Sequence, residues 1–169
     1  MRISVMGESG SGKTTLAKKI SEKLAIPHIH LDRFYFEAGG ADVRRGSEKE
    51  KVMEATLRRN ALAALQTESW VSDGRYLRIL PEIGEMADTI IYLDIPMWRR
   101  LANHAKRALK PSLRHKELSA WHELKFFVEM VRRTLKGEQK KSKLIAKFGS
   151  KMIFLNSYRE IGEYLQELF

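Results

Sequence analysis

Apolar residues recur along this chain at two spacings, and the alternation between them predicts strands separated by helices. Ile3 to Met6 is a short, mostly apolar run of the length of a buried strand. Lys13 to Leu24 follows as a helix, with Leu16, Ile20 and Leu24 four positions apart on one face. Pro27 to Leu31 predicts a second strand. Residues 37–47, with Gly39, Gly40 and Gly46 among four charges, predict a loop. Ser47 and Glu50 then form a capping box, ahead of a helix whose apolar stripe is Met53, Leu57, Ala61 and Leu65.

The second half repeats the alternation. Trp70-Val71-Ser72 predicts a third strand turning at Asp73-Gly74, and Thr89 to Leu93 a fourth, stopped by Pro96. A helix that buries Trp98, Leu101, Ala105 and Leu109 comes next and is broken at Lys110-Pro111-Ser112. A further helix is expected over about 117–136, with Trp121, Leu124, Val128, Val131 and Leu135 as its stripe. Lys151 to Leu155 predicts the last strand, and Ser157 with Glu160 caps a final helix that turns Ile161, Leu165 and Leu168 inward. Strands alternating with helices imply a mainly parallel sheet covered on both faces, an α/β architecture.

Length changes this picture little: 169 residues suit one domain over 1–169, with a substrate-side segment at about 32–68 and a helical insertion, or lid, at about 110–147. There is no cysteine, which removes disulfides and thiolate metal sites. Gly7 cuts short the first apolar run, and no stretch approaches the roughly 18 apolar residues of a membrane span, so a cytoplasmic protein is expected. Charge changes the picture more. The net charge is +10, yet residues 99–151 carry 16 Lys and Arg against four acids, while the remainder carries 15 basic and 17 acidic residues. All of the positive excess therefore sits in one stretch, which attracts polyanions, whether nucleotide phosphates or nucleic acid.

The candidate chemistry begins at Gly7-Glu8-Ser9-Gly10-Ser11-Gly12-Lys13-Thr14-Thr15, which reads G-x-x-x-x-G-K-T. Glycines let successive backbone N–H groups turn inward on phosphate oxygens, and the helix that follows offers its positive end. Lys13 is placed to reach the outer phosphates, Thr14 to ligate magnesium, and Thr15 to touch the inner phosphate. The strand before and the helix after are the context this loop requires. A GTPase would carry N-K-x-D and an ABC ATPase L-S-G-G-Q, and neither occurs; the chain is also short for a AAA+ module. The small-molecule kinases remain, with ATP and magnesium as the expected cofactors.

Three acids follow apolar strands: Asp32, Asp73 and Asp94. In a parallel sheet, ligands gather beyond those strand ends. Asp32, followed by Arg33-Phe34-Tyr35-Phe36, suits an acceptor with a flat apolar face and a hydroxyl; the plainer reading is a loop Asp capping a turn. Asp73 suits a magnesium-water ligand, against simple helix capping, and Asp94 reads as a helix cap. His28 and His30 point to one side of a strand as a metal-binding pair would, but no third ligand is evident. On the helix after Pro96, Arg100, Asn103 and Arg107 share one face. There they either clamp a transferring phosphoryl group or form a solvated basic face. Arg114, Arg132 and Arg133 lie further on.

These segments together resemble the adenylate-kinase-like DNA topology modulation proteins. The similarity runs through G-x-x-G-x-G-K-T-T-L-A at 7–17, I-P-x-x-H-L-D at 26–32, W-V-x-D-G-x-Y at 70–76 and A-D-T-I-I-Y-L-D-I-P at 87–96. Asp32-Arg33-Phe34-Tyr35 is also similar to the D-x-F-Y of uridine kinases, where the acid serves the acceptor hydroxyl. The resemblance implies a P-loop kinase fold, a three-layer sandwich with a five-stranded parallel sheet and a helical lid carrying arginines. In adenylate kinases a strand-end D-G matches Asp73-Gly74. Two arginines four apart follow L-D-x-P there; the second matches Arg107, while Asn103 stands at the first, with Arg100 one turn earlier. The arginine that closes D-G-F-P-R is missing, with Arg75 and Arg78 close by, so adenylate kinase activity is not expected.

Two functions follow. The first is an ATP-dependent phosphotransferase acting on a small acceptor of the nucleoside, nucleotide or similar class, with Lys13, Asp32, Arg100 and Arg107 as catalytic groups. The second is an ATP-binding regulator that holds DNA through the basic stretch and so affects DNA topology.

Overall fold

A computed structural model describes residues 1–38, 47–74, 79–109 and 138–168 of the chain. The loop expected near 37–47 lies almost wholly outside the described residues. So do Arg75 and Arg78, the helix expected over 117–136 with Arg114, Arg132 and Arg133, and most of the 110–147 insertion.

Five strands, β1 (Arg2–Gly7), β2 (His28–His30), β3 (Trp70–Asp73), β4 (Thr89–Leu93) and β5 (Met152–Leu155), form one sheet in the order β2-β3-β1-β4-β5, every pair parallel. Around it lie α1 (Lys13–Leu24), α2 (Leu31–Glu37), α3 (Glu48–Ala64), α4 (Leu80–Met86), α5 (Met97–Leu109), α6 (Glu138–Phe148) and α7 (Tyr158–Glu167). Both expected caps are made: Ser47 Oγ accepts from the Glu50 amide and Ser157 Oγ from the Glu160 amide, each at 3.2 Å.

Alternation along the central strands divides the core into two layers. Ile3, Val5, Val71, Ile91 and Leu93 face Leu16, Ala17 and Ile20 of α1, with Ile161 and Leu165 of α7 packed alongside. On the other face Met6, Trp70, Ile90 and Tyr92 meet Leu57, Ala61 and Leu65, together with Ile83 of α4 and Phe148 of α6. Trp70 is fully buried and donates its indole N–H to the Leu65 carbonyl at 3.0 Å. Between the layers, the buried Ser4 and Ser72 hydroxyls pair at 3.3 Å across β1 and β3.

Three elements differ from the sequence reading. Leu31 does not end β2 but begins α2, so Asp32 sits in the first turn of a helix instead of a loop. Helix α4, with proline near its start, spans a segment whose pattern is too short to register as a periodic stripe. On α5 two of the residues expected in the core lie outside it, and two polar ones lie inside. Trp98 is 65% exposed and Ala105 is exposed, whereas Arg100 and His104 are each 6% exposed. The cause is what covers the helix: Arg100, Asn103 and His104 pack on Gly10 of the phosphate loop, a polar backbone segment.

Candidate functional site

The 7–15 segment leaves the C-terminal end of β1, the middle strand, where β3 lies to one side and β4 to the other. That is the crevice in which ligands of open parallel sheets bind. Gly7, Gly10 and Gly12 have φ values of 139°, 79° and 96°, and Gly12 hands the chain directly to α1. Ser9 and Ser11 lie in the turn between them. The Ser11 amide closes the loop on the Glu8 carbonyl at 3.3 Å.

Close packing reinforces this shape. A Cβ at Gly10 would stand 2.7 Å from His104 Nε2 and 2.8 Å from the Arg100 carbonyl oxygen, and one at Gly7 would stand 2.6 Å from the Leu93 carbonyl oxygen. Asn103 Nδ2 donates to the Gly10 carbonyl at 2.8 Å and to the Tyr158 hydroxyl at 2.5 Å, tying the loop to α5 and the start of α7. Asn103, which stands where adenylate kinases carry an arginine, is thus a brace for the loop backbone. Sequence reasoning placed Asn103 on the right helix face but missed this role, because the partner is a backbone carbonyl 93 positions away.

The loop fits a polyphosphate with magnesium. The buried Ser11 hydroxyl has no hydrogen-bond partner among the described residues, an orphan donor inside the turn. Lys13 folds its ammonium back over the loop and donates to the Glu8 carbonyl at 2.8 Å, so its charge already lies against the cradle. Thr14 Oγ1 donates to Asp73 Oδ2 at 2.5 Å, joining the hydroxyl and carboxylate that sequence reasoning singled out as metal-binding. Thr15 is exposed in the first turn of α1.

Asp73 is the most constrained acid of the site, 1% exposed at the end of β3. Parallel pairing sets His30 beside it in register, with His28 two positions back on the same face. His28 Nε2 lies 2.6 Å and His30 Nδ1 2.9 Å from the same oxygen, Oδ1. Burial pushes the Asp73 carboxyl up, but hydrogen bonds from His28, His30 and Thr14 together outweigh it and hold the pKa well below the usual carboxylate range. The hydrogen bond to Asp73 pushes His30 up; burial opposes this, and the charges of Asp73 and Asp32 add to it.

Asp32 comes to the same corner. A Cβ at Gly74, whose φ is 143°, would stand 2.7 Å from Leu31 Cβ and 3.2 Å from Asp32 Oδ1. The glycine thus lets the start of α2 close on the end of β3. The arginines are placed less uniformly. Arg100 is buried and its Nε donates to the Ile95 carbonyl at 3.0 Å. Arg107 lies on the last turns of α5, and its side chain falls outside the described residues.

No family model matches the chain. It is 26% identical over 119 residues to the uncharacterized protein YqaC of Bacillus subtilis, a match covering 70% of this chain and 58% of that protein. It is 31% identical over 99 residues to the adenylate kinase of Corynebacterium glutamicum, covering 55% of each. The matches thus span between half and two thirds of the length of these relatives. Among solved structures it superimposes on shikimate kinase from Bacteroides thetaiotaomicron with a TM-score of 0.58 and 18% identity, covering 99% of this chain and 96% of that one. Shikimate kinase from Acinetobacter baumannii in complex with shikimate gives 0.58 and 16%, covering 99% and 89%. TT1252 from Thermus thermophilus gives 0.56 and 17%, covering 100% and 98%. Five parallel strands in this order, aligned with these neighbours over nearly the whole chain, make the fold that of the P-loop kinases.

Proposed function

We propose that the chain is an ATP-dependent phosphotransferase that passes a phosphoryl group to a small hydroxyl- or phosphate-bearing acceptor of the nucleoside, nucleotide or similar metabolite class. One observation carries the reading: a left-handed glycine turn with an orphan buried hydroxyl, a lysine and a Thr–Asp pair converging at the central strand end. The kinase neighbours support it, as does the partial similarity to an adenylate kinase.

In this reading the amides and hydroxyls of Gly7, Ser9, Gly10, Ser11, Gly12 and Thr15 hold the triphosphate, and Lys13 swings from the Glu8 carbonyl onto its outer oxygens. Thr14 and Asp73 hold magnesium, which supplies charge neutralisation at the phosphates when bound. Asp32, half-buried at the start of α2, accepts the proton of an acceptor hydroxyl. Arg100 and Arg107 stabilise the charge on the transferring group; Arg100 does so through its terminal nitrogens, since Nε is already held by Ile95. The chain works as one domain with its substrate side at about 32–68 and its lid at about 110–147. It resides in the cytoplasm, and no helix among the described residues is long and apolar enough to cross a membrane. The family proposed for it is that of the DNA topology modulation proteins.

A screen for ADP release across nucleosides, nucleoside monophosphates and small metabolites tests this. Lys13→Ala should lower turnover on the accepted substrate by on the order of 100-fold or more with the fold intact. An unchanged rate in the purified variant refutes the assignment. The positive stretch at 99–151 favours a second reading, an ATP-binding regulator on DNA. That reading gains if no acceptor releases ADP while duplex DNA binds tightly with a steep salt dependence.

A further inference from the structure

Asp73 presents two oxygens to two different settings. Oδ2 takes the Thr14 hydroxyl on the phosphate side. Oδ1 is turned the other way, into a pair of imidazoles from the neighbouring strand. The phosphotransfer reading uses the first oxygen and leaves the histidines without a task.

Their arrangement is that of a ligand set. His28 Nε2, His30 Nδ1 and one Asp73 carboxylate oxygen all lie within 4.8 Å of one another. The ring centroids are 6.1 Å apart at 46°, so the imidazoles converge on the carboxylate and do not stack on each other. The third ligand that the sequence does not reveal is supplied by the strand register, which sets His30 opposite Asp73. Two imidazoles and one carboxylate form a donor set for zinc-like transition ions, not for magnesium, which keeps to oxygen ligands and water. We propose that His28 Nε2, His30 Nδ1 and Asp73 Oδ1 bind one divalent transition metal ion of the zinc and cobalt class, at a site that shares Asp73 with the magnesium site at Thr14.

Entry is open on one side. The Asp73 side chain is 1% exposed and that of His28 15%, but that of His30 is 36% exposed and forms the mouth. In a complex with bonds of about 2.0–2.2 Å, neighbouring ligand atoms stand roughly 3.4 Å apart, so His28 Nε2, at 2.6 Å from Oδ1, must draw back by about 0.8 Å and His30 Nδ1, at 2.9 Å, by about 0.5 Å. Rotation of both rings and of the Asp73 carboxylate provides this, with His30 the more exposed of the two imidazoles. Binding displaces the protons now shared with Oδ1, and solvent fills the remaining positions. Because Asp73 serves both sites, an ion here pulls the carboxylate away from Thr14. On the phosphotransferase reading, excess zinc therefore inhibits by competing for Asp73; the binding claim itself does not rest on that reading.

The test uses the full chain without a tag, stripped with chelator and titrated with Co2+ in the absence of nucleotide, following the visible d–d absorption. One equivalent should bind, give the intense band of a four- or five-coordinate site, and be displaced by Zn2+. The double variant His28→Gln, His30→Gln should lose the band while its thermal transition persists. If the double variant fails to fold, His30→Gln alone should weaken Co2+ binding by at least about 10-fold. Lys13→Ala should keep the band, which separates this result from the fate of the phosphotransferase assignment. Absence of the band in the unaltered chain, or its survival in the histidine variants, overturns the proposal.

Discussion

The phosphate loop has two flanks held by different physics. On the α5 flank, contact is steric and backbone-directed: Gly10 lies against the Arg100 carbonyl and His104, and Asn103 ties the Gly10 carbonyl to Tyr158. On the β2–β3 flank, contact is between side chains, with Thr14, His28 and His30 all gathered on one buried carboxylate. The first flank has no room to adjust, since a backbone carbonyl cannot rotate away. The second can exchange a proton or a cation for any of its hydrogen bonds without moving the strands. A loop fixed on one side and adjustable on the other keeps its shape while its charge environment changes.

Substitutions on the two flanks separate these effects. Gly10→Ala should do the most damage, costing about 2–5 kcal/mol in urea denaturation, because the new methyl meets Arg100 O and the residue must keep φ near 79°. Nucleotide binding should be lost with it at any magnesium concentration, and a stable variant that still binds ATP would show that the α5 flank yields after all. Asp73→Ala should cost about 1–3 kcal/mol by stranding three donors, and should weaken ATP binding chiefly when magnesium is present. Calorimetry with and without magnesium checks this, and an equal loss in both would move Asp73 from ion binding to simple bracing.

Smaller effects sharpen the α5 side. Asn103→Ala should cost about 0.5–1.5 kcal/mol in thermal unfolding, the worth of its bonds to Gly10 and Tyr158. Trp98→Ala should change stability by no more than about 1 kcal/mol, since the ring is largely exposed with the Arg99 guanidinium 4.9 Å from its centroid. A loss of several kcal/mol there would restore Trp98 to the core.

Local signals in the sequence carried far. Helix α1 runs from Lys13 to Leu24 as its stripe predicts, β4 runs from Thr89 to Leu93, and the two Ser–Glu caps form where they were expected. Each depends on residues within a few positions of one another. Helix α4 apart, the misreadings turn on distant partners. Trp98 looked like core because an apolar stripe assumes an apolar neighbour, and α5 instead meets a glycine loop. The apolar run after His30 looked like strand continuing into loop, because only the closeness of Gly74 shows where α2 must start. The His28–His30 pair and Asp73 were each legible, but their meeting was not: separations of 43 and 45 positions become contact only through the β2–β3 register.

The place of β1 in the sheet also bears on how the molecule forms. Both of its neighbours come much later in the chain: Ser4 meets Ser72 and the Arg2 amide meets Asp88, separations of 68 and 86 positions. The strand that launches the phosphate loop therefore stays unpaired until two crossovers have closed around it. Loop-closure entropy on that scale makes a slow folder with high contact order. Pulse-labelled amides of Val5 and Met6 should accordingly gain protection late in refolding, after those of α1 and α3.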